Sequence, residues 1–376
     1  MNLSDYRKEI DQIDGEIVRL FQERMDVSAK IAVYKKEQAM PIAQPARERE
    51  KLAEVSGRSR EDLRAYIRVL YSLLFELSRT YQEKGNRTEL YRRIEEAVEH
   101  TPRLFPPTAT VACQGVEGAY AQIACEKLFK NPMIQYFRSV RGVFSAVEAD
   151  FCQYGILPVE NGGVGSVKGI YGLVAEHGFS IVRSTRLKVD HCLLAKADHG
   201  EIREIFSHEQ AIAQSTSFLK SLGDVKLTVC ENTALAAQRV ALSDRDDVAA
   251  LSSRMCAELY GLQILHSGVQ DEGNNHTRYI CISKHTEIYP GADRTSVMMT
   301  LPHKPGALYK VLARLYALGI NLLKLESRPI PERDFEFMFY LDLETSVYSP
   351  EFAQLMSEIE GICSEFQYLG SYSEVL

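Results

Sequence analysis

The sequence lacks the patterns that mark membrane-spanning and nucleotide-binding proteins. Its 376 residues contain no apolar run near the ~18 residues that a spanning helix requires, and the charged start MNLSDYRKEIDQID does not resemble a secretory leader. Neither the GxGxxG dinucleotide pattern nor the Walker pattern occurs. Sequence repeats and low-complexity tracts are also missing. We therefore expect a cytoplasmic protein without a nucleotide cofactor.

Cysteine is present but without a recognisable spacing. The eight cysteines form no CxxC pair and no Cys/His cluster at metal-ligand spacing. Free thiols favour a reducing compartment, and the sequence predicts no metal site. Their positions are 113, 125, 152, 192, 230, 256, 281 and 363.

The charge balance is acidic, with a net charge of −7 and a pI near 5.8. Acidic surfaces repel nucleic acid and anionic lipid, so neither is an expected partner. Any anion must then be bound by a local cluster of cations. The length, with 45% hydrophobic residues, predicts roughly two or three globular domains.

The first segment reads as helical. Residues 2 to about 37 carry a sevenfold apolar repeat without proline, which predicts one long helix able to pair with a second helix. Pro41 and Pro45 end it, a second helix starts at ARERE, and a third follows Ser59 as its N-cap. The apolar seam of the long helix has two sets of members, Leu3, Ile10, Ile17 and Ile31 at one position and Tyr6, Ile13, Leu20, Val27 and Tyr34 at the other.

The rest of the chain divides into three segments that differ in charge and in apolar pattern. Residues 86–108 are charged and end in LFPP, as interdomain linkers often do. From 109 to 285, short apolar strands alternate with amphipathic helices, which predicts an α/β domain. Residues 294–376 predict the order βαββαβ.

Arg24 interrupts the apolar seam of the long helix. A single polar seam residue can set the register of paired helices, and this reading stands beside a functional one. Arg7 and Lys35 fall one step around the same helix, so three cations line one side of it. Buried cations need an anionic partner, which an acidic substrate would supply. The later helices add Arg47, Glu48, Ser78 and Gln82, the last two spaced to share a helix face.

Residues 1–85 with these groups resemble the all-helical chorismate mutase domain. The resemblance implies an intertwined dimer in which Arg7 reaches the partner's pocket. It implies catalytic roles for Lys35 and Gln82 at the breaking ether oxygen, with Glu48 on the substrate hydroxyl. The implied substrate-binding set is Arg7, Arg24, Lys35, Gln44, Arg47, Glu48, Ser78 and Gln82. Gln44 stands where the family usually has an acidic residue.

Three motifs mark the α/β segment. LPVENGGVGSV (157–167) is either a tight turn or a cradle of backbone N–H groups with Asn161 pointing inward. SHEQAIAQ (207–214) is able to place Ser207 at a helix N-terminus, while His208 lacks a second ligand and is interpreted as structural. NNHTRYI (274–280) places Thr277 and Arg278 at the entrance of a strand.

Together with ENTALAA, these motifs resemble prephenate dehydratase over 109–285. The resemblance implies a two-lobed α/β fold of the periplasmic-binding-like type, with the site in the cleft. Thr277 is then catalytic and assists the departing ring hydroxyl by hydrogen bonding. Asn161, Ser207 and Gln214 hold the substrate, and Arg278 faces a carboxylate. Two positions depart from the family, Gly162 in place of a serine and Tyr279 in place of a phenylalanine.

GALY (306–309) and ESRP (326–329) in the last segment resemble the phenylalanine-binding motifs of the ferredoxin-like α+β ACT domain, although a plain βα turn would also explain PG. The resemblance implies feedback inhibition by L-phenylalanine bound between paired subunits. The implied ligand residues are Gly306, Ala307, Leu308, Tyr309, Glu326, Ser327, Arg328 and Pro329.

The three resemblances in one order indicate a multidomain bifunctional chorismate mutase and prephenate dehydratase with a sensor for phenylalanine. Its expected partners are chorismate, prephenate, L-phenylalanine and further copies of the chain, as a dimer or tetramer. A non-enzymatic regulator is the rival from another class, which would not need Arg24, Lys35, Glu48 and Thr277 in their motif contexts. A mutase fused to an NAD-dependent dehydrogenase is a second rival, and the missing dinucleotide pattern argues against it.

Overall fold

The computed structural model describes residues 2–42, 44–83, 88–163, 165–330 and 336–376. The chain divides into two units, one of residues 1–91 with 353–361 and the other of residues 92–352 with 362–376. The expected boundary at residues 85 and 86 lies outside the described residues. No helix in the described ranges is long and apolar enough to cross a membrane.

The helical unit is built on one long helix, α1, which begins with an N-terminal capping box. The Asn2 side chain accepts hydrogen bonds from the Ser4 and Asp5 amides, and the Asp5 carboxylate accepts one from the Asn2 amide. The helices of the N-terminal region are α1 (Leu3–Glu37), α2 (Pro45–Arg58), a 3₁₀ turn (Glu61–Leu63), α3 (Arg64–Glu83) and α4 (Glu89–His100).

Helix α3 packs against both α1 and α2. Its start differs from the sequence expectation, because Ser59 is not its N-cap. Ser59 is the C-cap of α2, and its hydroxyl donates to the Val55 carbonyl at 2.6 Å. Pro45 begins α2, which continues to Arg58, and the 3₁₀ turn then precedes α3.

The second unit begins with an α/β lobe whose sheet has apolar clusters on both faces. Strands β1, β2 and β3 are parallel, and β3, β11 and β5 are antiparallel neighbours. The elements of this lobe are β1 (Thr110–Gln114), α5 (Tyr120–Leu128), β2 (Met133–Phe137), α6 (Val140–Glu148), β3 (Tyr154–Asn161), β4 (Gly165–Ser166), α7 (Ile170–Glu176), β5 (Ser180–Lys188) and the returning β11 (His276–Ser283).

A second lobe is inserted between β5 and β11. It holds a five-stranded sheet in the order β10-β6-β9-β7-β8, again with an apolar cluster on each face. Because the chain enters and leaves this lobe once each, two short crossings join the lobes. The elements are β6 (His191–Ala195), β7 (Glu204–Ser207), α8 (Glu209–Ala213), α9 (Thr216–Ser221), β8 (Lys226–Val229), α10 (Thr233–Leu242), β9 (Val248–Ser253), α11 (Arg254–Tyr260) and β10 (Gln263–Ser267).

The last segment has the expected order βαββαβ. Its elements are β12 (Arg294–Thr300), α12 (Ala307–Ala317), β13 (Asn321–Pro329), β14 (Phe337–Glu344), α13 (Pro350–Ile362) and β15 (Glu365–Val375).

These C-terminal strands do not form a separate sheet. The end of β15 pairs in parallel with β5, Ser373 to Val375 lying beside Arg183 to Thr185. The sheet therefore runs β13-β14-β12-β15-β5-β11-β3-β1-β2, with the short β4 beside β3. This pairing gives the C-terminal segment a continuous hydrogen-bonded connection to the strand that carries Thr277.

Candidate active sites

Two groups of polar side chains coincide with the motifs found in the sequence, one in each unit. In the helical unit, Arg24 extends from α1 to α3. Its guanidinium donates to the Leu74 carbonyl at 3.1 Å and also to the Ser78 hydroxyl, which itself donates to Leu74 at 2.8 Å. Burial lowers the pKa of Arg24. The arginine that interrupts the seam thus contacts α3 of its own chain.

Lys35 lies about three turns after Arg24 on α1, and its side chain is buried. Its ammonium donates to the Ile42 carbonyl at 2.5 Å and to Oε1 of Gln82 at 3.3 Å. Burial lowers the pKa of Lys35, and the nearby Glu48 carboxylate opposes that shift. Lys35 and Gln82 therefore meet, as the sequence resemblance implies.

Glu48 in the first turn of α2 is held by an ion pair that the sequence did not reveal. The Arg79 guanidinium binds Glu48 and, at 3.0 Å, the buried Glu76 on its own helix. Arg79 is spaced i, i+3 from both Glu76 and Gln82, and this helical spacing was the available signal. Arg79 adds a third cation to the group formed by Arg24, Lys35 and Glu48.

Three residues of the expected mutase set lie apart from this group. Arg7 is exposed and stands 17 residues before Arg24, about 25 Å along a helix. Arg47 is exposed and pairs with Glu50 at 2.8 Å. Gln44 is the N-cap residue of α2 but makes no side-chain cap bond. Within one chain, the described contacts therefore bring together only part of the expected set.

The second site is a cavity of about 550 Å³ lined by both lobes of the α/β region. It opens at the carboxyl ends of β1 and β3, where ligands commonly bind in α/β sheets. Its polar and charged lining includes Gln114, Tyr120, Arg138, Asn161, His191, His208, Gln210, Gln214, Glu231, Asn232, Thr233, Gln238 and Thr277.

Three residues from separate motifs form a hydrogen-bonded chain in this cavity. The Asn161 amide donates to the Thr277 hydroxyl at 2.8 Å, and the Gln214 amide donates to Oδ1 of Asn161 at 3.2 Å. Asn161 and Thr277 are direct partners in the pairing of β3 with β11, which explains their proximity. The sequence could assign these residues to one site but not show which of them touch.

Two expected substrate contacts are placed elsewhere. Ser207 is fully buried and donates to the Leu251 carbonyl at 2.8 Å, so its hydroxyl does not line the cavity. Arg278 points to the opposite face of β11 from Thr277, because side chains alternate along a strand. It is buried against Asp342 and the Tyr372 hydroxyl, the latter at 2.6 Å. The carboxylate that Arg278 faces belongs to the protein.

The glycine run after Asn161 does not present free N–H groups at its first two positions. The Gly162 amide donates to the His276 carbonyl at 2.9 Å, and the Gly163 amide donates to the side-chain oxygens of Asn161 and Asn275. Val164 of this motif lies outside the described residues. These contacts favour the tight turn over the anion cradle, with the amide donors at Gly162 and Gly163 used to fix Asn161 and β11.

His191 and Arg138 in the cavity were missed by the sequence reading, and His208 was interpreted as structural. His208 caps α8, accepting from the Gln210 amide, and also lines the cavity. His191 is buried beside Tyr120, and burial lowers its pKa, so the imidazole is neutral near pH 7. His191 stands in no motif of the sequence, and only the fold brings it into the cavity that Thr277 lines.

The described residues contain no group of histidine, cysteine, aspartate or glutamate side chains arranged to hold a metal ion. The cysteines in those ranges are free.

Comparison with known proteins gives both sites a common context. Residues 6–83 match the family model of chorismate mutase type II, and residues 111–287 match that of prephenate dehydratase. A bifunctional chorismate mutase/prephenate dehydratase from Aquifex aeolicus is 31% identical over 380 residues, covering 100% of this chain and 98% of the relative. The chain belongs to the bifunctional chorismate mutase/prephenate dehydratase family.

Other relatives are similar to nearly the whole chain or to a large part of it. The Escherichia coli K12 enzyme of the same name is 28% identical and covers 97% of this chain and 95% of its own. An Arabidopsis thaliana arogenate dehydratase/prephenate dehydratase is 36% identical over 70% of this chain and 72% of its own.

Two solved structures each match 70% of the chain. GqqA, described as a quorum quenching acylase, has a TM-score of 0.65 at 30% identity over 70% of this chain and 97% of that chain. The prephenate dehydratase of Arthrobacter aurescens in complex with L-Phe has a TM-score of 0.64 at 24% identity, with 70% and 89% covered. The latter likeness establishes the fold of the two lobes.

The C-terminal motifs of the bifunctional enzyme lie on α12 and β13. Gly306 is the N-cap of α12 with a φ of 81°, a left-handed conformation that favours glycine, and Pro305 precedes the helix. Glu326 is bound by Arg328 and lies 3.4 Å from Lys324. Strand β13 ends the sheet, so GALY and ESRP stand near an edge without a strand partner among the described residues.

Proposed function

We propose that this chain catalyses two consecutive steps of phenylalanine biosynthesis, from chorismate to prephenate in the helical unit and from prephenate to phenylpyruvate in the two-lobed cavity. The observation that carries the proposal is that each motif set assembles from residues distant in sequence. Lys35 meets Gln82, and Thr277 meets Asn161 and Gln214. Conversion of chorismate to phenylpyruvate by the purified chain tests it, and chorismate left unchanged would contradict it.

The mutase step needs a bound conformer and positive charge, but no nucleophile or cofactor. Rearrangement breaks an ether bond and gathers negative charge on its oxygen, where a fixed cation lowers the barrier. We assign the ether oxygen to Lys35 and Gln82, because the ammonium is buried and so acts in a medium of low polarity. Glu48, aligned by Arg79, accepts from the substrate hydroxyl.

The remaining mutase contacts are carboxylate contacts. Arg24 and Ser78 lie together at the α1–α3 contact, and each turns to a substrate carboxylate from the Leu74 carbonyl, to which both donate in the free chain. Arg47 turns from Glu50 to the substrate, and Gln44 contributes a neutral contact. Arg7 comes from the partner subunit of an intertwined dimer, since in its own chain it is about 25 Å from Arg24.

The dehydratase step removes carbon dioxide and water from prephenate. The C1–carboxylate bond breaks, its electron pair enters the ring, and the C4–oxygen bond breaks with its electrons going to the hydroxyl, which takes up one proton as water. Thr277 positions that hydroxyl through its own hydroxyl group, and Asn161 fixes Thr277. Gln214 keeps Asn161 in one orientation. Asn161 and Gln214 thus act on substrate through the placement of Thr277 as well as by direct contact.

We infer that the C-terminal segment is an ACT domain that binds L-phenylalanine at Gly306, Ala307, Leu308, Tyr309, Glu326, Ser327, Arg328 and Pro329. Two observations support it, the βαββαβ order and the position of β13 at the end of the sheet, where a second copy of the segment is able to pair. The domain bounds are 1–85, 109–285 and 294–376, with a linker at 86–108. The assembly is a cytoplasmic dimer or tetramer.

Calorimetric titration with L-phenylalanine tests the sensor. Binding accompanied by inhibition of prephenate turnover is the expected result. Absence of binding, together with unchanged dehydratase kinetics at saturating phenylalanine, would refute it. L-Tyrosine serves as the matched ligand, since it adds one hydroxyl to the same side chain.

A further inference from the structure

The dehydratase cavity needs a cation that the known motifs do not supply. Prephenate carries two carboxylates, yet Arg278 is buried on the far face of β11 against Asp342. The described lining of the cavity contains one permanent cation, Arg138, and one carboxylate, Glu231. A dianion that enters this cavity meets repulsion from Glu231, so its binding depends on Arg138.

Arg138 is placed at the correct end of the sheet. It follows β2 directly, and the Gly115 amide donates to the Phe137 carbonyl at 2.8 Å, which holds the ends of β1 and β2 together. Thr277 of β11 pairs with Asn161 at the carboxyl end of β3. Because β2, β1 and β3 are parallel, Arg138 and Thr277 lie at the same end of the sheet. Arg138 is exposed and makes no ion pair or hydrogen bond with the described part of the chain.

The separation of Arg138 from Thr277 fits the substrate. Strands β11 and β2 are three strand intervals apart, roughly 14 Å between backbones. In prephenate the hydroxyl and the two carboxylates are attached at opposite ends of the ring. A ligand whose hydroxyl is at Thr277 therefore directs its carboxylates across the cavity, with the ring and the arginine side chain filling the interval.

The reaction chemistry selects one of the two carboxylates. The ring carboxylate loses its charge as it leaves, so a cation bound to it would stabilise the substrate more than the transition state and slow the reaction. The side-chain carboxylate keeps its charge throughout and is still present in phenylpyruvate. We propose that Arg138 binds the side-chain carboxylate of prephenate. This inference rests on the proposed assignment of the Thr277 cavity as the dehydratase site.

The test is the kinetics of Arg138→Gln in the full chain, with prephenate as substrate and phenylpyruvate as product inhibitor. An arginine that holds a charge shared by substrate, transition state and product contributes uniform binding. We expect KM for prephenate and Ki for phenylpyruvate to rise together, by about tenfold to a hundredfold, with kcat changed far less. Arg138→Lys, which keeps the charge but not the fork of donors, should show a smaller rise in both.

Arg141→Gln is the matched control. Arg141 is exposed, lies in α6 three residues after Arg138, and does not line the cavity. The Arg141→Gln variant loses the same charge, so its kinetics should match those of the unmodified chain. Retained kcat in Arg138→Gln shows that the variant is folded. If it does not fold, Arg138→Lys provides the same comparison of KM with Ki.

Two results would overturn the inference alone. An unchanged KM shows that Arg138 does not bind substrate, and a raised KM with an unchanged Ki shows that it holds the departing carboxylate. Failure of the unmodified chain to turn over prephenate is a different result, because it removes the dehydratase assignment together with this inference.

Discussion

Lys35 is charged in a place that disfavours charge. Its side chain is buried, and burial lowers its pKa against the opposing influence of Glu48. The ammonium is nevertheless well supplied with acceptors, the Ile42 carbonyl and Gln82. A cation desolvated in advance interacts strongly with charge that appears during a reaction, which is why we assign the ether oxygen to it.

Lys35 predicts a pH dependence of the mutase. The protonated amine is the active form, so kcat/KM should fall as the pH rises, and should do so through an apparent pKa below that of an ordinary lysine. Lys35→Met should abolish the mutase at every pH and spare the dehydratase. Lys36→Met, at the exposed neighbouring position, is the control and should leave the profile unchanged. Mutase activity that survives in Lys35→Met, or a kcat/KM of the unmodified chain that does not fall as the pH rises, would contradict this role.

Arg24 predicts a separation of stability from activity. Arg24→Leu restores an apolar residue to the seam and removes a half-buried charge, so stability should be preserved or raised. The mutase should be lost while the dehydratase is spared. Thermal unfolding and both assays on the same sample measure this. Surviving mutase activity would support the alternative reading, in which Arg24 sets the register of paired helices.

At the residue scale, spacing within one helix was a reliable guide and contacts across the fold were not. Ser78 and Gln82 share a face of α3 because they are four residues apart, and Lys35 meets Gln82 as expected. Arg278 has its partner Asp342 64 residues later, a pairing that no local pattern contains. His191 likewise reaches the cavity only through the crossing between lobes.

Strand β11 serves two regions through its two faces. Thr277 faces the cavity and the next residue, Arg278, faces the C-terminal strands, where it binds Asp342 of β14 and Tyr372 of β15. Burial would lower the pKa of Arg278, but Tyr372, Asp342 and Tyr171 around it raise that pKa above its usual value. Arg278 is therefore charged in the folded protein, and its ion pair fixes β11 to the C-terminal segment.

Breaking this pair should destabilise the protein. Arg278→Leu leaves Asp342 buried without its cation, and we expect a loss of about 3–5 kcal/mol in the free energy of unfolding of the second unit. The double variant Arg278→Leu with Asp342→Leu should recover a large part of that loss, since no lone charge remains. Urea unfolding monitored by dehydratase activity and circular dichroism measures both.

Lys284→Gln is the control for Arg278. Lys284 pairs with Asp150 at 2.6 Å, both side chains reach solvent, and the pair should contribute no more than about 1 kcal/mol. Equal losses for Lys284→Gln and Arg278→Leu would show that burial of the Arg278 pair has no special weight.

The order of elements could be read from the sequence, but the connection between sheets could not. Alternating and helical patterns predicted the βαββαβ segment and the strands of the two lobes, because these patterns are local. The pairing of β15 with β5 joins residues 190 positions apart and depends on the assembled fold. Ser59 was misassigned for a related reason, since a serine that ends one helix has the same local pattern as one that begins the next.

At the scale of the whole molecule, the long helix presents an apolar surface without cover in a single chain. All nine apolar residues of the seam are exposed, and they are Leu3, Tyr6, Ile10, Ile13, Ile17, Leu20, Val27, Ile31 and Tyr34. Such a surface favours association. It supports the proposal of a paired helix that also brings Arg7 to a second site.

Ile17 and Val18 allow a matched test of this pairing. The two residues are adjacent and 57% and 55% exposed, but Ile17 belongs to the seam and Val18 does not. Ile17→Glu should give a smaller assembly and a chain without mutase activity, because Arg7 no longer reaches its target. Val18→Glu should keep both. Sedimentation and the mutase assay decide, and an unchanged assembly and activity in Ile17→Glu would exclude pairing through the seam.

The most direct test of two sites in one chain is complementation between Thr277→Ala and Arg24→Leu. With chorismate as substrate, Thr277→Ala should accumulate prephenate, and Arg24→Leu should leave chorismate unchanged while still converting added prephenate. Mixing the two variants should restore phenylpyruvate, since one supplies what the other consumes. If either variant alone forms phenylpyruvate from chorismate at the rate of the unmodified chain, or if the mixture forms none, the assignment of the two reactions to these two sites is contradicted.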